Sequence, residues 1–268
     1  MDLFYPVTFL WMERLIAIAL ILQTLEFFQI RKSFSSDGIW TWVLIRREFS
    51  GLPHFLLRIM DGLLSDRNFL VFLVFRTILS FAALYFHHPL IWGFLWLSTL
   101  LISVRWRGTF NGGSDYMTLI VLGAAFIGRA AGDLHYRWIG VALGYVGLQT
   151  CLSFFVAGVV KLRKEEWRSG KALAGFIESS HYGASPWLQS QFQAFSHPIQ
   201  LKVLSWGIIL FECTFPLGVL NPSVCRFMIL GGLFFQLMNT YVLGLNRFFW
   251  AWAAAYPAFF WCAQQFVF

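Results

Sequence analysis

The sequence predicts an all-α, polytopic transmembrane bundle of about eight helices with interfacial amphipathic helices between them. Three observations carry that expectation. Hydrophobic residues fill 58% of the 268 positions and charged residues 12%, about half the charged share of a soluble domain. The apolar residues come in long blocks rather than in an alternating or amphipathic pattern. The longest hydrophilic gap, Leu162 to Lys202, carries Trp and Phe throughout, so it reads as interfacial helices and leaves no soluble module. The whole chain, 1–268, is read as one transmembrane domain.

A bilayer crossing needs roughly 20 apolar residues. The windows that approach this are Val7 to Ile30, Phe69 to Phe86, Leu90 to Val104, Tyr116 to Gly132, Trp138 to Lys161, Val203 to Leu220, Arg226 to Leu245 and Phe248 to Phe266. No basic region or small-residue cleavage site marks the first as a removable signal. Between the first two lies a segment, Ile39 to Leu64, in which Trp40, Trp42, Phe49, Phe55, Leu56 and Leu57 interleave with Arg46, Arg47 and Arg58. It reads as an interfacial helix pair broken near Gly51-Leu52-Pro53. Gly140 and Gly144, at i and i+4, suit close helix contact.

The net charge of +7 sits in the connections. Arg31, Lys32, Arg46, Arg47, Arg58 and Arg67 fill one gap, and Lys161, Arg163, Lys164, Arg168, Lys171 and Lys202 fill another. The positive-inside rule then places both gaps in the cytoplasm and both termini outside. In such a chain basic residues point to anionic lipid before nucleic acid, so membrane lipids are expected partners and nucleic acid is not. Cys151, Cys213, Cys225 and Cys262 show no CxxC or metal-ligand spacing and read as small core residues. No histidine spacing, nucleotide loop or hydrolase elbow supports a metal site or a familiar hydrolytic chemistry.

Intramembrane polar groups are costly, so each is a candidate. Arg14, Glu26, Arg76 and Glu212 are the charged ones, expected mainly to pair between helices. Gln236, Asn239 and Thr240 share one helical face, which can hold a ligand or glue helices. In Asn111-Gly112-Gly113-Ser114-Asp115 the glycines invite a tight turn, and Ser114 or Asp115 can cap the following helix. The strongest candidate is a ridge of Gln149, Ser153, Ala157 and Lys161, spaced by four, that leads two polar side chains toward an amine. Two readings of Lys161 stay open: a partly desolvated base, or a lysine snorkelling to the headgroups.

Taken in order, Asn111-Gly112-Gly113-Ser114-Asp115, Gln149, then Ala157-Gly158-Val159-Val160-Lys161-Leu162 with Trp167 and Gly170, then Gln236-Leu237-Met238-Asn239 resemble the HTTM family. That family is the membrane domain shared by vitamin K-dependent γ-carboxylases and many small bacterial proteins. Ser35-Ser36-Asp37-Gly38 is similar to its first loop. The resemblance implies a multi-pass protein of the bacterial cytoplasmic membrane, with Lys161 at the position of the proposed carboxylase base. Gln149, Gln236, Asn239, Asn111, Asp115 and Trp167 would then line a polar pocket, and a quinone-like or lipid-like molecule would be its ligand. The two histidines of the carboxylases fall here at Gly113 and Gln236, and their propeptide-recognising domain has no counterpart in these residues. The alternative is a non-enzymatic maturation factor or structural subunit, packed against other membrane proteins or an exported peptide.

Overall fold

A computed structural model describes residues 4–106, 112–131, 135–178 and 197–265. Within them all regular structure is helical. Helix α1 spans Phe4–Gln29, α2 Trp42–Ile45, α3 His54–Leu64, α4 Asp66–Ala82, α5 Pro89–Trp106, α6 Gly112–Ala130 and α7 His135–Arg163. Then come α8 (Glu165–Arg168), α9 (Lys171–Glu178), α10 (Pro198–Thr214, continued by a 3-10 turn over Phe215–Leu220), α11 (Pro222–Leu243) and α12 (Asn246–Gln265). Proline opens α5, α10 and α11, where its missing N–H costs no helical bond and its fixed φ suits the first turn.

Each of the eight apolar windows falls largely on a helix, and among the described residues five helices are long and apolar enough to cross a membrane: Val7–Gln29, Pro89–Trp106, Arg137–Arg163, Pro198–Leu220 and Pro222–Leu243. Of the expected eight or so crossings, five meet the length and composition of a span among the described residues, and the reasons the others do not are local. Helix α4 has 17 residues and carries Asp66, Arg67 and Arg76. Helix α6 opens on Gly-Gly-Ser-Asp and ends near Arg129. Helix α12 holds Asn246, Arg247 and Pro257, and its Ala251–Ala255 stretch is buried in protein. A helix packed on all sides by protein does not need the hydropathy of one facing lipid.

The chain forms two compact units. In the unit Leu10–Ala142 the core is aromatic: Phe27, Phe34, Trp42, Phe69 and Leu73 are buried together, and Trp40 stacks on Trp106 at 4.4 Å. Arg105, fully buried, lies over the Phe69 ring at 4.5 Å and donates to Asp66 Oδ1 at 2.7 Å. Asp66 also accepts from Thr41 Oγ1 and the Trp42 backbone N–H, so one carboxylate ties α2, α4 and α5 together. Deeper in the unit Arg76 donates to Gln23 Oε1 (2.8 Å) and Thr99 Oγ1 (3.2 Å), and Gln23 donates to Asp115. Glu13, fully buried, takes both forks of Arg129 at 2.7 and 2.6 Å. The break at Gly51-Leu52-Pro53 falls between a 3-10 turn ending at Phe49 and the start of α3, as expected.

The other unit comprises Met1–Phe9 and Leu143–Phe268. Its centre is the buried stretch of α12 from Ala251 to Phe259. Phe215 stacks on Phe259 at 4.8 Å and on Phe154 at 3.9 Å. Toward α12 the close glycine of α7 is Gly147, where a side chain would collide with Cys262, whereas Gly144 has ordinary clearance from Trp261. The four cysteines are free.

Candidate functional site: a buried ion pair between α7 and α10

The geometry around Lys161 follows from small residues that let backbones meet. Gly158 lies against α10, and a Cβ there would sit 2.8 Å from the Cys213 nitrogen and sulfur and 3.0 Å from Glu212 Cβ. Only a hydrogen fits, so α7 and α10 touch at this level. Lys161, three residues on, therefore meets Glu212: Nζ is 2.6 Å from both Oε1 and Oε2. The Glu212 side chain is 3% exposed and that of Lys161 17%. Glu212 ends a buried ridge of α10 that also carries Leu201, Ser205 and Ile209.

The loop after α7 closes over the pair. Gly170 has φ +83°, and a Cβ there would lie 2.7 Å from Lys202 N, so both its left-handed backbone and its contact with α10 demand glycine. Ser205 Oγ donates to the Trp167 carbonyl oxygen, which also accepts from Gly170 N–H. These bonds hold the Trp167 ring 5.1 Å from Lys161 Nζ, within cation–π range. On the apolar side, Phe154 packs edge-on to Phe211 at 6.0 Å. Ala157-Gly158-x-x-Lys161 with Trp167 and Gly170 is thus one mechanical unit: a glycine for approach, a charge for pairing, an indole for cover and a glycine for the return.

An ammonium held by both oxygens of a carboxylate is not a free base. Glu212 is the nearest acceptor to the Lys161 amine, so the two side chains act as one unit. Neither charge is left uncompensated.

Of the residues singled out by sequence, Lys161 and Trp167 come together. Gln149 is half-buried on the same ridge, but twelve residues at about 1.5 Å per residue put it roughly 18 Å back along α7. Gln236 is buried and accepts from Asn239 Nδ2 at 3.1 Å, while Thr240 donates to the Gln236 carbonyl; this face is satisfied within α11. Asp115 is buried and bonded to Gln23 in the unit Leu10–Ala142. It and Ser114 lie in the opening turns of α6, which is described from Gly112. Asn111 lies outside the described residues. Of the four charges singled out in apolar segments, Glu212 finds Lys161, and Arg76 donates to an amide and a hydroxyl. Arg14 is exposed, over the Trp11 ring at 5.8 Å.

Sequence reasoning flagged Glu212 but missed its partner, and it missed Ser205 and the role of Gly158. The available signal was Glu212 as the lone acidic residue of an apolar helix, which obliges a cation on a neighbour. Among the described residues no group of three or more His, Cys, Asp or Glu side chains could hold a metal ion. No family model, curated protein or solved structure matches the chain.

Proposed function

We propose that this chain is a multi-pass integral membrane protein, HTTM-like, whose Lys161–Glu212 pair receives the polar head of a quinone-like or lipid-like molecule. The observation that carries the reading is a part-buried ion pair, its carboxylate buried, at the end of an apolar helix. Ionisable groups placed so in a membrane mark ligand or proton sites more often than not. Helix α7 has 29 residues, roughly 43 Å long at its helical rise, which exceeds the roughly 30 Å hydrocarbon layer. Its Lys161 end therefore suits a head at the interface, with an apolar body lying back along the ridge of Ala157, Ser153 and Gln149. Helices α4, α6 and α12 complete an eight-helix bundle in this reading, and the bacterial cytoplasmic membrane is its setting. No carboxylation step is assigned, because Gly113 and Gln236 cannot exchange protons near neutral pH.

The test is the mass spectrum of molecules co-extracted with the purified protein. A bound quinone or lipid depleted in Lys161→Ala supports the reading, and equal occupancy in that variant refutes it. One observation favours the alternative, a maturation factor or structural subunit: both Glu212 oxygens are already taken by Lys161, as in a simple helix fastener. A stoichiometric partner that copurifies with wild type and Lys161→Ala alike would favour that role.

A further inference from the structure

Helix α3 is apolar on two sides, and only one of them has a partner. At about 100° per residue, Leu57, Met60 and Leu64 form the face buried in the aromatic core. Phe55, Ile59 and Leu63 form a second ridge beside it, 64%, 53% and 36% exposed, with Leu56 at its edge. The remaining wedge is polar: His54, Arg58 and Asp61. Eleven residues give roughly 16 Å of helix, too short to cross a bilayer. A core face, an unpartnered apolar face and a polar wedge on one short helix suit a helix lying in the membrane plane.

The charges near it are sorted. Asp61, part-exposed, takes Arg46 at 2.7 Å and the Trp42 indole N–H at 2.8 Å, which neutralises that acid within its own unit. Arg47 and Arg58 stand exposed, so these two cations are open to an anionic group.

We propose that α3 is an in-plane anchor for an anionic phospholipid, its acyl chains lying on the Phe55–Ile59–Leu63 ridge and its phosphate held by Arg58 and Arg47. This rests on the membrane reading above, and the experiment separates the two. The full-length protein is placed in nanodiscs doped with a lipid bearing a photoactivatable group in its acyl chain, as phosphatidylglycerol or as phosphatidylcholine, and labelled peptides are mapped. The expected result is label on α3, with phosphatidylglycerol exceeding phosphatidylcholine by roughly thirtyfold, the order that two arginines at an anionic surface imply. That excess falls to the phosphatidylcholine level in Arg47→Gln/Arg58→Gln. Label on α5 and α11 with none on α3 overturns the anchor and leaves the membrane reading standing. Equal labelling of α3 by both lipids overturns the anionic preference, and no label on any helix overturns the membrane reading with it.

Discussion

Asp66 and Glu212 are both carboxylates facing a cation, and they are held in opposite ways. Asp66 is a junction: Arg105, Thr41 and the Trp42 backbone all donate to it. Glu212 has one donor, Lys161, on both of its oxygens. A junction cannot let go of one partner without stranding the others, whereas a pair can be opened and closed as a unit. The difference separates a carboxylate that fixes the fold from one suited to exchange with a ligand.

The sharpest way to break the comparison is to delete each acid and then its cation. Asp66→Ala leaves the buried Arg105 unmatched and should cost about 3–5 kcal/mol in detergent unfolding, and Glu212→Ala, which leaves the part-buried Lys161 unmatched, should cost less. The doubles should diverge. Lys161→Met/Glu212→Leu removes both charges and should return to within about 1 kcal/mol of wild type. Arg105→Met/Asp66→Leu should stay destabilised, because Thr41 and the Trp42 N–H lose their acceptor, worth about 1–3 kcal/mol. Equal recovery of the two doubles would erase the distinction.

Smaller effects sharpen it. Gly158→Ala should cost about 1–3 kcal/mol by forcing α7 from α10, since the nearest atom to the new methyl is backbone. It should also expose Lys161 to amine-reactive reagents, and protection equal to wild type would mean the contact is not set at Gly158. Gly170→Ala should cost about 1–2 kcal/mol through its left-handed backbone, read as a lower unfolding temperature with the Lys161–Glu212 pair intact.

The smallest effect lies outside the spans. The hydrogen bond from Arg46 holds the Asp61 carboxyl below its usual range, aided by the Trp42 indole. A depressed folded value stabilises above the unfolded carboxylate range, near about 3.9, and that stability is lost as the pH falls through the folded value. The gap in unfolding temperature between wild type and Asp61→Asn should accordingly shrink on acidification and with added salt. A gap that widens in acid would contradict the pairing.

Much of the helix layout was legible because apolar blocks of span length are a strong signal, and Pro89, Pro198 and Pro222 mark where helices begin. The number of crossings was less legible: α12 is apolar for a core of protein, and a window of hydropathy does not say which solvent it meets. The site was legible in part. The spacing of Ala157, Gly158, Lys161, Trp167 and Gly170 pointed to the loop that carries the ion pair, since each serves one local purpose. The partner was not, because Glu212 lies 51 positions away and reaches Lys161 only through the crossing that Gly158 permits. Asp66 went unnoticed for a similar reason: it looks like a loop acid until Arg105 folds onto it.

The most direct test of the Lys161–Glu212 site is ligand occupancy in the charge-reversed double variant Lys161→Glu/Glu212→Lys. Reversal keeps the ion pair and most of the stability but moves the ammonium from α7 to α10. The account predicts a wild-type-like unfolding temperature with the co-extracted quinone-like or lipid-like molecule lost. A variant that folds and keeps that molecule at full occupancy would contradict it.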